Sequence, residues 1–196
     1  GVSTRLMGAL VMTHSDDLGL VLPPKLAPIH VVIIPIYKGL AQLKKISIIA
    51  NEIKLKLEKK EIIVVFDDDD KRKPGWKFAQ HEMKGVPIRI AIGPRDLENG
   101  TLEVARRDTL EKKIMQQVGI ANKIEHLLSA IQGNLLQKAK DFVDNNTFIA
   151  NSIDELNKIL NDKGGFVLAH WDGTKETELK IKDLTKATIR CIDLNS

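Results

Sequence analysis

Three short apolar runs, kept apart by one amphipathic and one charged stretch, set the limits on how this chain can fold. His30 to Tyr37 is apolar and β-branched, which predicts a buried strand, with Pro35 marking an edge, a bulge or its finish. Leu43, Ile46, Ile49, Ile53 and Leu57 then recur at steps of three and four, predicting an amphipathic helix over about 39–59. Glu61 to Phe66 reads as a second buried strand, followed by a charged loop from Asp67 to Pro74. Gly75 to Lys84 reads as a short helix ended by Gly85. Val86 to Ile92 alternates, so a third strand would place Val86, Ile88, Ile90 and Ile92 on one face. Strands alternating with helices in this order predict an α/β protein.

Downstream, Glu98-Asn99-Gly100 is a hairpin-turn signal that makes Thr101 to Arg107 an antiparallel partner, with a further short strand around Ile114 to Val118. The sheet is therefore expected to be mixed. Ile124, Leu128, Ile131, Leu135 and Phe142 mark a long helix from about Ala121, interrupted or kinked at Gly133. Ser152 with Glu155 is a capping-box start to a helix ending at Gly164-Gly165. A strand from Phe166 to Trp171, a helix over 175–184 and a final strand from Ala187 to Ile192 complete a small second α/β part. Residues 1–28 do not read as a domain. Gly1 to Thr13 alternates small and apolar residues, Ser15-Asp16-Asp17 is a turn or cap signal, and Pro23, Pro24 and Pro28 mark an extended linker. Gly1 stands where a start Met would, which points to a piece of a longer protein.

Composition excludes several function classes. The 196 residues suit one generous domain or two small ones, and 43% hydrophobic residues are enough for a real core. Neither a membrane-spanning apolar run nor a secretory leader pattern is present. The single cysteine, Cys191, rules out an internal disulfide and a zinc site built on four thiolates, and it fits a reducing, cytoplasmic setting. In a predicted strand, it reads as a buried small hydrophobe. Thirty Lys and Arg against 26 Asp and Glu give a net charge of +4, a mild excess that suits contact with phosphates without requiring it. His14, His30, His81, His126 and His170 show no paired metal spacing, and no phosphate-cradling glycine loop occurs.

The densest candidate chemistry follows the second strand, where ligand loops of open α/β sheets usually lie. Asp67 to Asp70 is read as a solvated acidic turn rather than a metal site, because neighbouring carboxylates in an extended run diverge. Lys73, Trp76, Lys77 and Phe78 bring cations and rings together. They serve single-stranded RNA, with bases stacked on rings and phosphates held by cations, or else the rings pack the short helix onto the sheet. Glu82, Arg89, Arg95 and Asp96 offer donors and acceptors matched to guanine edges. Arg106, Arg107, Lys112 and Lys113 form a second basic patch, read as solvated.

Taken in order, Phe66-Asp67-Asp68, Lys73 to Phe78, Glu82 to Arg89, Gly93 to Glu98 and Ala105 to Thr109 resemble the anticodon-binding domain of prolyl-tRNA synthetases of the archaeal and eukaryote-like type. Gly1 to Arg5, Met12 to Asp17 and Gly19 to Pro24 resemble motif 3 and the exit from the class II catalytic domain. Ala169-His170-Trp171 and Ala187 to Ile192 resemble the extra C-terminal domain of that synthetase type.

The resemblance implies three parts: the end of a catalytic domain over 1–28, an anticodon-binding domain over 29–135, and a C-terminal domain over 136–196. It implies that Arg5 stacks on the ATP adenine. Glu82, Arg89, Arg95, Asp96 and Lys112 would read the two guanines of proline anticodons, with Phe78 packed near the adjoining base. The partner implied is the anticodon stem-loop of proline tRNA. Asp69 stands where the family often has a basic residue. Asp172 and Thr177 stand where many relatives have the first pair of zinc cysteines, so no zinc is expected and the last domain should rest on its apolar core. ATP and Mg would serve the full-length enzyme, itself expected to be a homodimer. This chain lacks motifs 1 and 2 and is expected to be inactive alone. An interaction or regulatory module reusing the fold is the alternative, and a small-molecule-binding domain is disfavoured for want of a glycine loop.

Overall fold

The computed structural model describes residues 3–192. Gly1 and Val2, the start of the motif 3 resemblance, lie outside it. The chain divides into two compact units between Leu136 and Gln137.

In the first unit, α1 (Arg5–Thr13) leads into a two-stranded hairpin of β1 (Ser15–Asp16) and β2 (Gly19–Leu20). The turn between them is set by the Asp16 carboxylate, which accepts the Leu18 N–H at 2.9 Å. The main body follows as β3 (Val31–Pro35), α2 (Leu40–Glu58), β4 (Val64–Phe66), α3 (Pro74–Met83), β5 (Ile88–Ile92), α4 (Pro94–Asn99), β6 (Thr101–Arg106), β7 (Lys112–Gln116) and α5 (Ile120–Asn145). Its five strands lie in the order β4-β3-β5-β6-β7, parallel from β4 to β5 and antiparallel from β5 to β7.

This topology places the helices. The crossover from β3 to β4 moves outward and the one from β4 to β5 moves back, so right-handed connections put α2 and α3 on opposite faces. On the α2 face, Val31, Ile33, Ile88, Ile90, Leu102 and Val104 pack with Ile46, Ala50, Ile53 and Leu57 of α2 and with Ile120, Ile124, Leu128 and Ile131 of α5. Each fully buried side chain of this size contributes about 1.5–3 kcal/mol, so this layer carries most of the stability. On the α3 face, Val32, Ile34 and Val86 form a smaller cluster against Ile29 and Phe78. Beyond it, towards β7, the same face turns polar.

Several sequence expectations are corrected. Glu98-Asn99-Gly100 is no hairpin turn. It ends α4, with Gly100 as a left-handed cap at φ +63°, so β5 and β6 pair across a one-turn helix. Val86 packs with Val32 and Ile34, opposite to Ile88, Ile90 and Ile92, because it precedes the strand and escapes its alternation. Glu61 has φ +60° and belongs to the turn before β4, not to the strand. β7 starts two residues earlier than predicted and ends at Gln116. α5 passes through Gly133 without a break, since its apolar stripe continues on both sides. α1 stands where only alternation was read.

The second unit continues α5 and adds β8 (Thr147–Ala150), α6 (Ile153–Asp162), β9 (Phe166–Ala169) and α7 (Lys175–Thr185), with β8 and β9 parallel. Ser152 caps α6 by accepting the Glu155 N–H at 3.2 Å. Its buried apolar residues, among those described, are Ala150 and Leu156. A polar turn adds to that small core: Asp172 accepts from the Thr177 hydroxyl at 2.6 Å and from the Thr174 N–H at 2.9 Å. Residues 187–192 form no strand, and Cys191 is exposed rather than buried, because no neighbouring strand is there to pair with it among the described residues.

Candidate nucleic-acid interface

Phe78 and Glu82 lie four residues apart on α3, hence on one side of the helix, and face β5. There the Arg89 guanidinium lies over the Phe78 ring, 3.8 Å from its centroid. Arg89 Nη1 donates to Glu103 on β6 at 3.2 Å, and Nε is 4.0 Å from the Glu82 carboxylate. With Arg89 only 4% exposed, its charge is tolerable because two carboxylates and a ring surround it. One group stays unsatisfied: Nε is buried with no hydrogen-bond partner among the described residues. His81 Nδ1 is another such atom among the described residues, and orphans of this kind are rare in folded proteins.

Strand register extends the site. Arg89 pairs with Ala105, which pairs with Lys112, so the three share a face. Lys112 stands two strands from Arg89, about 10 Å away along the sheet. Ala91, Glu103 and Ile114 form the next row of that face. Lys112 and Ile114 are exposed, so cation, carboxylate and apolar side chain meet solvent together. Glu103 escaped the sequence reading. Its signal was the alternation of β6, but aligning Glu103 with Arg89 required knowing that α4, and not a tight turn, joins the strands.

The other candidates are placed differently. Arg95 is exposed on the first turn of α4, at the carboxyl end of β5. Asp96 accepts the Gly93 N–H at 2.8 Å and the Thr101 hydroxyl at 3.2 Å, fastening α4 to β6. The structure thus gathers Phe78, Glu82 and Arg89, sets Lys112 across the same face, and leaves Arg95 and Asp96 at the strand end. Arg5 is exposed at the start of α1, outside the cluster.

The charged loop also separates into parts. Lys77 is buried and meets the Asp67 carboxylate at 2.9 Å and its carbonyl at 2.7 Å, while His81 meets the other carboxylate oxygen at 2.9 Å. Burial alone would raise the Asp67 pKa, but the bonds from His81 and Lys77 outweigh it and hold the carboxyl below its usual value. Asp67 is therefore an anchor for α3, not part of a solvated turn, and Asp68, Asp69 and Asp70 alone are exposed. Of the rings, Phe78 is under Arg89 and Trp76 is half-exposed with Arg72 stacked 4.7 Å above it. Among the described residues no group of three His, Cys, Asp or Glu is placed to hold a metal ion. None of the described helices is long and apolar enough to cross a membrane.

The second basic patch is not a solvated one. Arg107 is buried, donating to both oxygens of Asp16 (2.7 Å from Nη1), to the Glu82 carbonyl at 3.0 Å and to the Gly19 carbonyl at 3.2 Å. Arg106 forks onto Asp108 at 3.0 and 2.7 Å, and Asn134 donates to the same carboxylate at 2.6 Å. Only Lys112 and Lys113 of that patch are solvent-facing.

A half-open sheet face with a ring, an arginine flanked by two carboxylates and an exposed lysine carries the groups that an RNA-reading α/β module uses. Comparison with known proteins agrees: residues 30–130 match the anticodon binding domain family, and residues 153–196 match the prolyl-tRNA synthetase C-terminal family. The chain belongs to the anticodon-binding domain family, carrying the anticodon-binding and C-terminal domains of a prolyl-tRNA synthetase. It is 58% identical over 192 residues to a proline–tRNA ligase of Christiangramia forsetii, a match covering 98% of this chain and 39% of that protein. The proline–tRNA ligase of Flavobacterium psychrophilum is 58% identical over 195 residues, covering 100% and 40%. That of Porphyromonas gingivalis is 56% identical over 195 residues, covering 100% and 39%. The chain thus spans about 40% of the length of the curated relatives it matches.

Proposed function

We propose that this chain reads the anticodon of proline tRNA for a synthetase that activates proline with ATP and Mg and transfers it to the tRNA 3′ end. The observation that carries this reading is the sheet face on which Arg89, stacked on Phe78 and flanked by Glu82, shares a row with the exposed Lys112. A guanidinium fork matches the O6 and N7 acceptors of guanine, while a carboxylate suits its N1 and N2 donors, so Arg89 and Glu82 together select guanine. Phe78 keeps the guanidinium flat, Lys112 and Arg95 meet phosphates or bases at the rim, and Asp96 orients Arg95 by fixing α4.

In this reading residues 1–28 end the catalytic domain, with Arg5 on the ATP adenine, residues 29–135 read the anticodon, and residues 136–196 form the C-terminal domain. ATP activation belongs to the full-length enzyme, a cytoplasmic homodimer that needs no zinc here. The chain alone binds RNA without catalysis. Arg89→Lys tests the reading, because it keeps the charge and loses the fork. It should cost about 1–3 kcal/mol in binding a guanine-bearing anticodon stem-loop and little for an adenine-substituted one. Equal losses for both RNAs would remove Arg89 from the reading role.

A further inference from the structure

We infer that Arg107 is a positioning residue for the guanine reading: it ties the β1–β2 hairpin to the last turn of α3 and so sets where the Glu82 carboxylate stands. The inference rests on the anticodon reading above and goes beyond it to a residue that is 3% exposed and out of a base's reach. Arg107 follows β6 directly, and its own N–H donates to the Pro87 carbonyl at 2.9 Å, which holds it in sheet register. From there its guanidinium serves both partners. Nε donates to the Glu82 carbonyl at 3.0 Å, Nη1 to Asp16 at 2.7 Å, and Nη2 to the other Asp16 oxygen and to the Gly19 carbonyl. The hairpin also closes directly on this helix end. A Cβ at Gly19 would collide with the Met83 backbone, and one at Gly85 would lie 2.7 Å from the Leu20 Cβ. In the reading above the hairpin ends the catalytic domain, so Arg107 stands where that part meets the reading helix.

Glu82 depends on that joint because little else places it. Its side chain is 32% exposed, so a base can reach it, and its carboxylate stands 4.0 Å from Arg89 Nε, beyond hydrogen-bond reach. The place of its oxygens is therefore inherited from the helix end. There the Glu82 carbonyl accepts from the Gly85 N–H at 3.0 Å, a three-residue turn, as well as from Arg107. Last turns fray, and a buried guanidinium bonded to one of their carbonyls holds the turn in place. Two carboxylate oxygens must meet the N1 and N2 donors of one guanine, and a shift of about 1 Å at the helix end takes at least one of them out of range.

The test uses the 196-residue chain and anticodon stem-loop RNAs carrying guanosine, or inosine in its place, at one anticodon position at a time, with fluorescence anisotropy as readout. Inosine lacks only the 2-amino group, so the ratio of the two affinities reports the Glu82 contact. The unaltered chain should lose about tenfold at one position, and Glu82→Ala should abolish that loss. Arg107→Met should lower it to about threefold or less. So should Asp16→Ala, which frees the guanidinium from a 43% exposed partner without opening the core. Ile131→Val loosens the core on the α2 face and should keep the full tenfold loss, which separates positioning from a general loss of stability. An undiminished inosine loss in Arg107→Met, or in Asp16→Ala where Arg107→Met does not fold, overturns the inference. An equal reduction in Ile131→Val overturns it too. A chain that tells guanine from adenine yet ignores inosine also overturns it while leaving the anticodon reading standing. Failure to tell guanine from adenine overturns both.

Discussion

Arg107 holds together parts of the chain that local sequence keeps far apart. The residue is 3% exposed, and its guanidinium ties Asp16 of the hairpin and the Gly19 carbonyl to the end of α3. Arg107→Met should lower the unfolding free energy by about 2 kcal/mol, less than a fully buried pair because Asp16 is partly solvated. Urea unfolding measures it. The Arg107 hydrogen bonds, opposed by slight burial and helped by the Leu18 N–H, pull the Asp16 pKa from 3.8 to about 2. A carboxyl depressed in the folded state stabilises above its unfolded pKa and loses that contribution as pH falls. The stability gap between the unaltered chain and Asp16→Asn should thus be constant above about pH 4 and shrink towards about pH 2. A gap that persists unchanged at the acid end would mean that the ion pair is not its source.

At the scale of elements, two glycines make opposite predictions. Gly85 has φ +73°, and a Cβ there would lie 2.7 Å from the Leu20 Cβ, because β2 runs directly against the end of α3. Gly85→Ala should therefore destabilise by more than about 1 kcal/mol. Gly133 lies inside α5 with nothing within 4 Å of such a Cβ. Gly133→Ala should stabilise by about 1 kcal/mol, and thermal unfolding reads both. The same elements show what was legible beforehand. The strand-helix alternation from His30 to Ile92 was open to reading, because buried strands and amphipathic helices each leave a local period. What non-local packing decides was closed: the α4 link between β5 and β6, the side taken by Val86, and the unbroken course of α5. Glu103 and Arg107 belong to that group, since their partners lie on other elements and only the assembled register brings them near. Ring and charge chemistry singled out Phe78, Glu82 and Arg89 as candidates, and only the ordered motifs joined them with Lys112 in one proposed site, which no spacing rule does.

Across the whole molecule, a net charge of +4 and a half-open sheet face give a surface able to meet an RNA backbone without strong attraction to every RNA. Affinity should then come from phosphate contacts and fall steeply with salt, whereas preference should come from the Arg89 and Glu82 contacts and survive it. Recognition of proline tRNA through its anticodon, as proposed above, is open to a direct binding test. The most direct measurement is a filter-binding titration of the chain with proline tRNA and with a second tRNA lacking the two guanines, at low and moderate salt. Both affinities should drop as salt rises while proline tRNA keeps an advantage of at least about tenfold at each salt. Equal binding of the two tRNAs, or an advantage that vanishes with added salt, would contradict it.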